Sequence, residues 1–407
     1  VPRRPARARS ASRSSAGGGF SAYAAAAPGL EPLVARELAA LGLTPNEEEG
    51  GVGFSGTLET IARANLWLRT ASRVIVRVAT FRAEAFHELE RLARAMPWER
   101  FVASGTPVRF RVTSRKSRLY HTGGIAQRLG DAVGHRLGGA VAVDQASTGE
   151  EEDDGSARAQ MFVVRVFRDV FTVSADSSGA LLHQRGYRKA VAKAPMRETL
   201  AAAMLIASDW TGSTPLIDPL CGSGTIPIEA ALIARRSAPG LRRSFAIQSW
   251  PSFDATIWER IRDDASRLVL PESGVAIKGS DRDAGAIEAA TGNAERAGVA
   301  GDVEFSVRAV SAIDDCGPMG AEGLVATNPP YGIRVGEADR LRDLYARLGQ
   351  VMRSRCPGWR LAMLSANARL ERELRFPLEE RVRTRNGGIP VRVVIGRVPD
   401  RAGAIVT

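Results

Sequence analysis

The stretch LIDPLCGSGT, from Leu216 to Thr225, limits what this chain can fold into more than any other. Two apolar residues and an acid read as the end of a buried strand. A turn with two glycines follows, and Thr225 opens an apolar helix running from Ile226 to Ala234. Glycine lets backbone approach a ligand closely, and a helix start presents unpaired N–H groups. A turn of this kind at the carboxyl end of a parallel strand is where an open α/β sheet binds a nucleotide-like ligand. It is neither a Walker loop, since no Gly-Lys-Ser/Thr follows, nor the GxGxxG dinucleotide pattern. Asp218, Cys221, Gly222, Ser223, Gly224 and Thr225 are its candidate ligand residues.

After Ala190 strands and helices alternate, the pattern of a parallel sheet. Strands are expected at Pro215–Asp218, Val275–Gly279, Val303–Val307, Leu324–Thr327 and Trp359–Ser365. Two more, Glu380–Thr384 and Val391–Val398, flank Asn386, Gly387 and Gly388, a hairpin signal. The second strand leads into Asp281, an acid placed to accept both hydroxyls of a ribose. Asp283 is its alternate, and either could instead cap the next helix. The fourth strand ends in NPPYG, Asn328 to Gly332. Prolines 329 and 330 fix the backbone and stop the strand. The Asn328 side-chain oxygen and the Pro329 carbonyl can then accept both hydrogens of a planar NH2 group, and the Tyr331 ring can stack on the base that carries it. The same residues could merely form a turn. Leu341, Leu344, Tyr345, Leu348, Val351 and Met352, at helical spacing, read as core.

The half before residue 180 reads as α+β. Residues 1–19 hold Arg, Ser, Ala, Pro and Gly with no acid, and are expected to be a disordered basic tail. Helices are expected around Leu33, Val34 and Leu38 and around Ile61 and Leu66. Strands are expected at Gly51–Gly56, Val74–Val78, Pro107–Thr113, Met161–Phe167 and Val170–Ala175. An acidic run, Glu150 to Asp154, should face away from any polyanion.

The 407 residues carry a formal charge of +11, which suits a nucleic-acid partner through phosphate neutralisation. Arg109, Arg111, Arg115, Lys116 and Arg118 are the candidate phosphate contacts; a solvated basic face is the plainer reading. No apolar run is long enough to span a bilayer. Cys221, Cys316 and Cys356 are odd in number and scattered, which argues against a disulfide framework and for a reducing, cytoplasmic compartment. His87, His121, His135 and His183 are isolated, so no metal is expected.

Together, DPLCGSGT and NPPYG resemble the class I methyltransferases that act on exocyclic amines. The whole chain after residue 20 is most similar to the THUMP-domain RNA guanine-N2-methyltransferases, in particular the bacterial large-subunit (23S) ribosomal RNA branch. The likeness extends through PGLEPLV (Pro28–Val34), GVGFSG (Gly51–Gly56), LLHQRGYR (Leu181–Arg188), APMRETLAA (Ala194–Ala202) and APGL (Ala238–Leu241). It implies a Rossmann-like catalytic domain at 190–402, preceded at 20–178 by a ferredoxin-like segment and a THUMP RNA-binding domain. It implies a single catalytic domain, S-adenosylmethionine as cofactor without a metal, and RNA as partner. By the same resemblance Asp218, Cys221, Gly222 and Gly224 line the methionine end of the cofactor and Asp281 holds the ribose. Asn328, Pro329 and Tyr331 hold the guanine, with Pro330 completing the motif. One position departs from the pattern: where such enzymes place an acid or amide against adenine, this chain has Ala309, and Asp314 or Asp315 would have to substitute.

Four rivals follow. A tRNA guanine methyltransferase shares both halves. A DNA adenine methyltransferase and a protein glutamine methyltransferase share the NPPY logic without this N-terminal half. A non-catalytic RNA-binding or ribosome-assembly factor would keep the fold and lose the reaction.

Overall fold

The computed structural model describes residues 19–138, 143–145, 159–188, 196–313, 316, 322–332 and 337–400. Nearly all of the basic tail, the acidic run 150–154, and Asp314 and Asp315 lie outside the described residues.

The first half builds one eight-stranded sheet. Its elements are β1 (Phe20–Ala26), α1 (Glu31–Ala40), β2 (Asn46–Glu48), β3 (Gly51–Gly56), α2 (Leu58–Trp67), β4 (Ala71–Arg82), α3 (Phe86–Arg94), β5 (Val108–Arg115), α4 (Thr122–Leu137), β6 (Val143–Gln145), β7 (Gln160–Phe167) and β8 (Val170–Asp176). The strand order is β2-β3-β1-β4-β8-β7-β5-β6. β5 pairs parallel with β6 and β7, and the other pairs are antiparallel. Alternation at period two turns Ala22, Val74, Val76, Phe110, Val112, Phe162, Val164 and Val173 to one face. There they form a single core with the apolar sides of α1 to α4. Among the described residues the opposite face carries no helix of this half.

That core does not stop at residue 178. The excursion that leaves the second half at Ser237 returns Ala238, Phe245, Ile247, Trp250 and Phe253 to it. The Trp250 indole donates to the Gln160 side-chain oxygen (2.8 Å), and its ring meets Phe101 edge-on at 5.0 Å. A division of the chain at residue 178 therefore cuts through packed side chains.

The second half continues with α5 (Glu198–Ala207), β9 (Leu216–Asp218), α6 (Thr225–Ala234), α7 (Ala255–Arg267), β10 (Ile277–Asp281), α8 (Ala284–Ala297), β11 (Val303–Val307), β12 (Leu324–Thr327), α9 (Glu337–Arg355), β13 (Arg360–Ser365), α10 (Ala368–Arg372), β14 (Glu379–Asn386) and β15 (Ile389–Arg397). α7 belongs to the excursion and packs into the first core through Trp258, Ile261 and Ala265. The sheet order is β11-β10-β9-β12-β13-β15-β14, parallel except at β15. α5, α6 and α8 pack on one face and α9 and α10 on the other. The result is the expected mixed α/β, Rossmann-like arrangement. β10 and β12 flank β9, so the strand order reverses between β9 and β12, where open sheets place their ligand crevice. The hairpin between β14 and β15 turns on Gly387 and Gly388, at φ 53° and 83°, as the glycine pair requires.

A buried charged cluster locks the halves together. The Glu229 carboxylate on α6 lies 3.6 Å from the Arg185 guanidinium and accepts from the Tyr187 hydroxyl at 3.2 Å. Arg185 also donates to the Arg69 carbonyl (2.6 Å), and Arg69 donates to the Ser237 carbonyl (2.6 Å). Burial lowers the Arg69 pKa, and the nearby Glu229 charge opposes that shift.

The cysteine expectation is corrected here. Cys316 and Cys356 form a disulfide, with Cα atoms 4.9 Å apart. Their separation of 40 residues hides the pairing, because α9 runs back along the sheet and delivers its end to the middle of the β11–β12 connection. The Cys316 N–H donates to the Arg355 carbonyl at 3.0 Å. The pairing removes the cysteine argument for a reducing compartment. Among the described residues no helix is long and apolar enough to cross a membrane.

Candidate active site

The ends of β9 and β12 frame a hollow of about 420 Å³, lined by Met196, Asp218, Cys221, Gly222, Ser223 and Thr225, then by Asp283 and Asn328. Sequence reasoning put most of these together across more than 100 residues of chain. They converge because β9 and β12 are neighbours, so residues just past each strand share one rim.

The glycine turn has the backbone conformation that its sequence implies. Gly222 (φ 52°) and Gly224 (φ 83°) adopt the left-handed conformation that favours glycine. A Cβ on Gly224 would also press on the Ala290 side chain and the Phe305 ring, so the turn packs directly against α8 and β11. Gly224 is the N-cap of α6 and supplies no side chain, which leaves the helix start open toward the hollow.

Asp218 is buried, and burial pushes its carboxyl up to about 7. It accepts the Leu220 N–H at 3.1 Å. The Cys221 thiol is pushed far above its ordinary value by burial and by the carboxylates of Asp218 and Asp281. It remains a neutral wall residue, not a nucleophile. Asp281 braces the turn: one oxygen accepts the Gly222 N–H and the other the Asp283 N–H, both at 3.1 Å. Asp283 caps α8 by accepting from Gly285 (2.9 Å) and Ala286 (3.3 Å), as its alternative reading required, and it also lines the hollow.

Past β12, Asn328 is half-buried, Pro329 buried and Pro330 exposed. The Tyr331 hydroxyl donates to the Asn328 side-chain oxygen at 2.7 Å and accepts from the Asn386 amide at 2.9 Å. Burial raises the Tyr331 phenol to about 12, so it stays a donor at neutral pH. Tyr345, read as core from its spacing, is fully buried, yet its hydroxyl donates to the Pro330 carbonyl at 2.9 Å. Asn367 donates to the Gly332 carbonyl at 3.4 Å. Asn386, Tyr345 and Asn367 therefore fix the NPPYG backbone and ring. Of the three, Asn386 carried a hairpin signal and Tyr345 a core spacing, and neither signal pointed to this role.

The basic candidates do not form one patch. Arg109 and Arg111 lie half-buried on the helix-free face of the first sheet. Arg115 and Lys116 are exposed at the end of β5, where Lys116 turns with φ 52°. Arg118 pairs with Glu84, and its N–H donates to Asp169 (2.7 Å). Ala309 caps a single helical turn, Val310–Ala312, and offers no polar side chain. Among the described residues no group of three or more His, Cys, Asp or Glu converges as metal ligands would.

The donor set suits a nucleoside bearing a cationic amino-acid tail: a buried carboxylate, a helix start with unpaired N–H groups, and acids at the tip of β10. It holds no lysine or P-loop geometry for a triphosphate.

Comparison with known proteins agrees. The RMKL-like methyltransferase domain profile matches residues 185–394, and the RlmL ferredoxin-like domain profile matches residues 21–75. The chain is 37% identical over 386 residues to "Ribosomal RNA large subunit methyltransferase K/L" of Syntrophotalea carbinolica, covering 91% of this chain and 53% of that protein. It thus spans about half the length of the K/L relatives. It is 32% identical over 373 residues to "Putative RNA methyltransferase slr0064" of Synechocystis sp., covering 90% of this chain and 94% of that one. Among solved structures, the SAH complex of SMU.472, described as "a putative methyltransferase", superposes with a TM-score of 0.82 at 29% identity, covering 95% of this chain and 99% of that one. On this sequence match, and with a fold of the corresponding kind, the chain belongs to the RMKL-like methyltransferase family.

Proposed function

We propose that this chain transfers a methyl group from S-adenosylmethionine to the exocyclic N2 amine of a guanosine in RNA, with 23S ribosomal RNA as the substrate. The observation that carries the reading is the placement of Asn328, with its amide on the same hollow as buried Asp218 and the open start of α6. The names of the K/L relatives support ribosomal RNA as the target. The helix-backed first half, including a THUMP region within residues 20–178, would grip the RNA.

When bound, S-adenosylmethionine supplies an already activated methyl group. The chain's own residues do the positioning. Asp218 and the N–H groups at the start of α6 hold the charged amino-acid end. Asp281 or Asp283 accepts the ribose hydroxyls, since a carboxylate that takes one N–H per oxygen keeps further acceptor sites. The Asn328 oxygen and the Pro329 carbonyl take the two hydrogens of the target amine, and the Tyr331 ring lies against the base. The nitrogen lone pair is thereby turned toward the hollow. No chain residue becomes covalently attached, and positioning supplies the rate. Paired guanine cannot reach this site, so the base is flipped or lies in a loop.

The test supplies the protein with labelled S-adenosylmethionine and, separately, unmodified ribosomal RNA and tRNA, then identifies modified nucleosides by mass spectrometry. The expected product is N2-methylguanosine in ribosomal RNA, reduced about 100-fold by Asn328→Ala. Label confined to tRNA would change the substrate. No label in either RNA, from protein that binds S-adenosylhomocysteine, would overturn the reading.

A further inference from the structure

We propose that the helix-free face of the eight-stranded sheet, centred on Arg165 and Phe167 of β7, docks single-stranded RNA; the proposal rests on RNA being the substrate. Register alone assembles this face. Arg111 lies beside Val163, Thr113 beside Arg165 and Arg115 beside Phe167. On the other side of β7, Val163 faces Ser174, Arg165 faces Thr172 and Phe167 faces Val170. Ser174 is in turn paired with Arg77 of β4, and Tyr23 of β1 with Ile75. Five strands thus contribute to one surface, and it is hollowed to about 670 Å³ between Tyr23 and Val170.

The chemistry of the face selects its occupant. An antiparallel sheet can leave one face to water, and such a face ordinarily mixes polar side chains of both signs. Here the hollow's lining holds Arg77, Arg165 and Arg168 against one acid, Glu48, which is paired with Arg77 at 2.7 Å. Phe167 is 40% exposed and Val170 38%. Two rings already sit beneath guanidinium groups: Arg168 over Phe167 at 5.2 Å and Arg77 over Tyr23 at 5.6 Å. Flat rings interleaved with arginine suit unstacked bases and their phosphates. A duplex would present its phosphates and hide its base faces.

The hollow is also connected to the NPPYG loop. The Tyr23 hydroxyl donates to the Glu49 carbonyl at 2.9 Å. The Glu31 carboxylate accepts from Gly50 (3.3 Å) and Gly29 (2.6 Å). Gly29 packs so closely on the Arg383 carbonyl that a Cβ there would overlap it. Three residues along β14, Asn386 holds Tyr331. A strand lying on the sheet near Tyr23 is therefore joined by continuous contacts to the loop that would receive the base.

The test uses the full chain and a fluorescein-labelled 12-nucleotide oligoribonucleotide without secondary structure, alongside a duplex of the same sequence. Anisotropy is read over a range of salt concentrations for wild type, Arg165→Glu, Phe167→Ala and the control Arg262→Glu on α7. The expected result is preference for the single strand, weakened roughly tenfold or more by each sheet variant and little changed by the control. Arg165→Glu should also reduce the salt slope by about one. Affinity for S-adenosylhomocysteine, measured by calorimetry, should be unchanged in all four proteins, which reports an intact fold. Equal binding by wild type and both sheet variants, or equal binding of single strand and duplex, overturns the proposal. Methylation separates the two readings. RNA methylated with unchanged KM in the sheet variants sinks the surface alone, whereas a wild type that binds the oligonucleotide but methylates no RNA sinks the reaction alone.

Discussion

In the proposed role Asp218 must be ionised to hold a cationic amino group, yet its burial favours the neutral acid. With its carboxyl pushed up to about 7, the folded chain keeps a proton that an unfolded Asp loses near 3.8. Stability from this group is therefore highest in acid, falls as pH rises through that window, and is flat above it. Ligand affinity should run the other way. S-adenosylhomocysteine should bind about tenfold more weakly at pH 6 than at pH 8, because about a tenth of the carboxyl is ionised at the lower pH. Calorimetric titration of wild type and Asp218→Asn checks this, since the variant should bind weakly at both pH values without the trend. Asp218 and Asn328 were legible because strand, turn and polar side chain occur in one short string. The role of Tyr345 was not. Its spacing among Leu341, Leu344 and Leu348 fits a core residue, which it is, and the hydroxyl that reaches the Pro330 carbonyl leaves no trace in periodicity.

Among the elements, the β14–β15 hairpin contributes more than closure of the sheet. It delivers Asn386, the last residue of β14, to the Tyr331 hydroxyl at 2.9 Å. The Tyr331 hydroxyl in turn occupies the Asn328 oxygen assigned to the target amine. Replacing Asn386 with Ala should free Tyr331 to wander and raise KM for RNA about fivefold, the worth of one hydrogen bond. Affinity for S-adenosylhomocysteine should not change, and a parallel loss there would mean that the hairpin supports the whole hollow instead. The sequence showed the hairpin through its glycine pair. It could not show which side chain the turn would present, because that depends on the register of β15 against β13. Strands of the second sheet were legible to within about two residues at most boundaries, since buried parallel strands between helices carry strong apolar signals. The excursion after Ser237 was not, because the partners of Trp250 and Phe245 lie in the other half.

Across the whole molecule, the cluster of Arg69, Arg185, Tyr187 and Glu229 makes the two halves one stability unit. Glu229 is fully buried, pairs with Arg185 and acts with Glu37 on Arg69. Removing it takes away the ion-pair partner of Arg185 and leaves Glu37 as the remaining carboxylate acting on Arg69. Glu229→Gln should cost about 3–5 kcal/mol in denaturant unfolding. A loss below 1 kcal/mol would show that the backbone carbonyls alone satisfy the arginines. The sheets share a further property. β8, the last strand of the first sheet, sits between β4 and β7, and β15, the last of the second, sits between β13 and β14. In each half the final strand to leave the ribosome is inserted in the interior of its sheet. Until β8 emerges, the twelve-residue edge of β4 has no partner on that side, and an open edge of that length is the kind that pairs with other chains. Nascent chains stalled between residues 82 and 170 are therefore where this protein is most exposed to mispairing with its neighbours on a polysome.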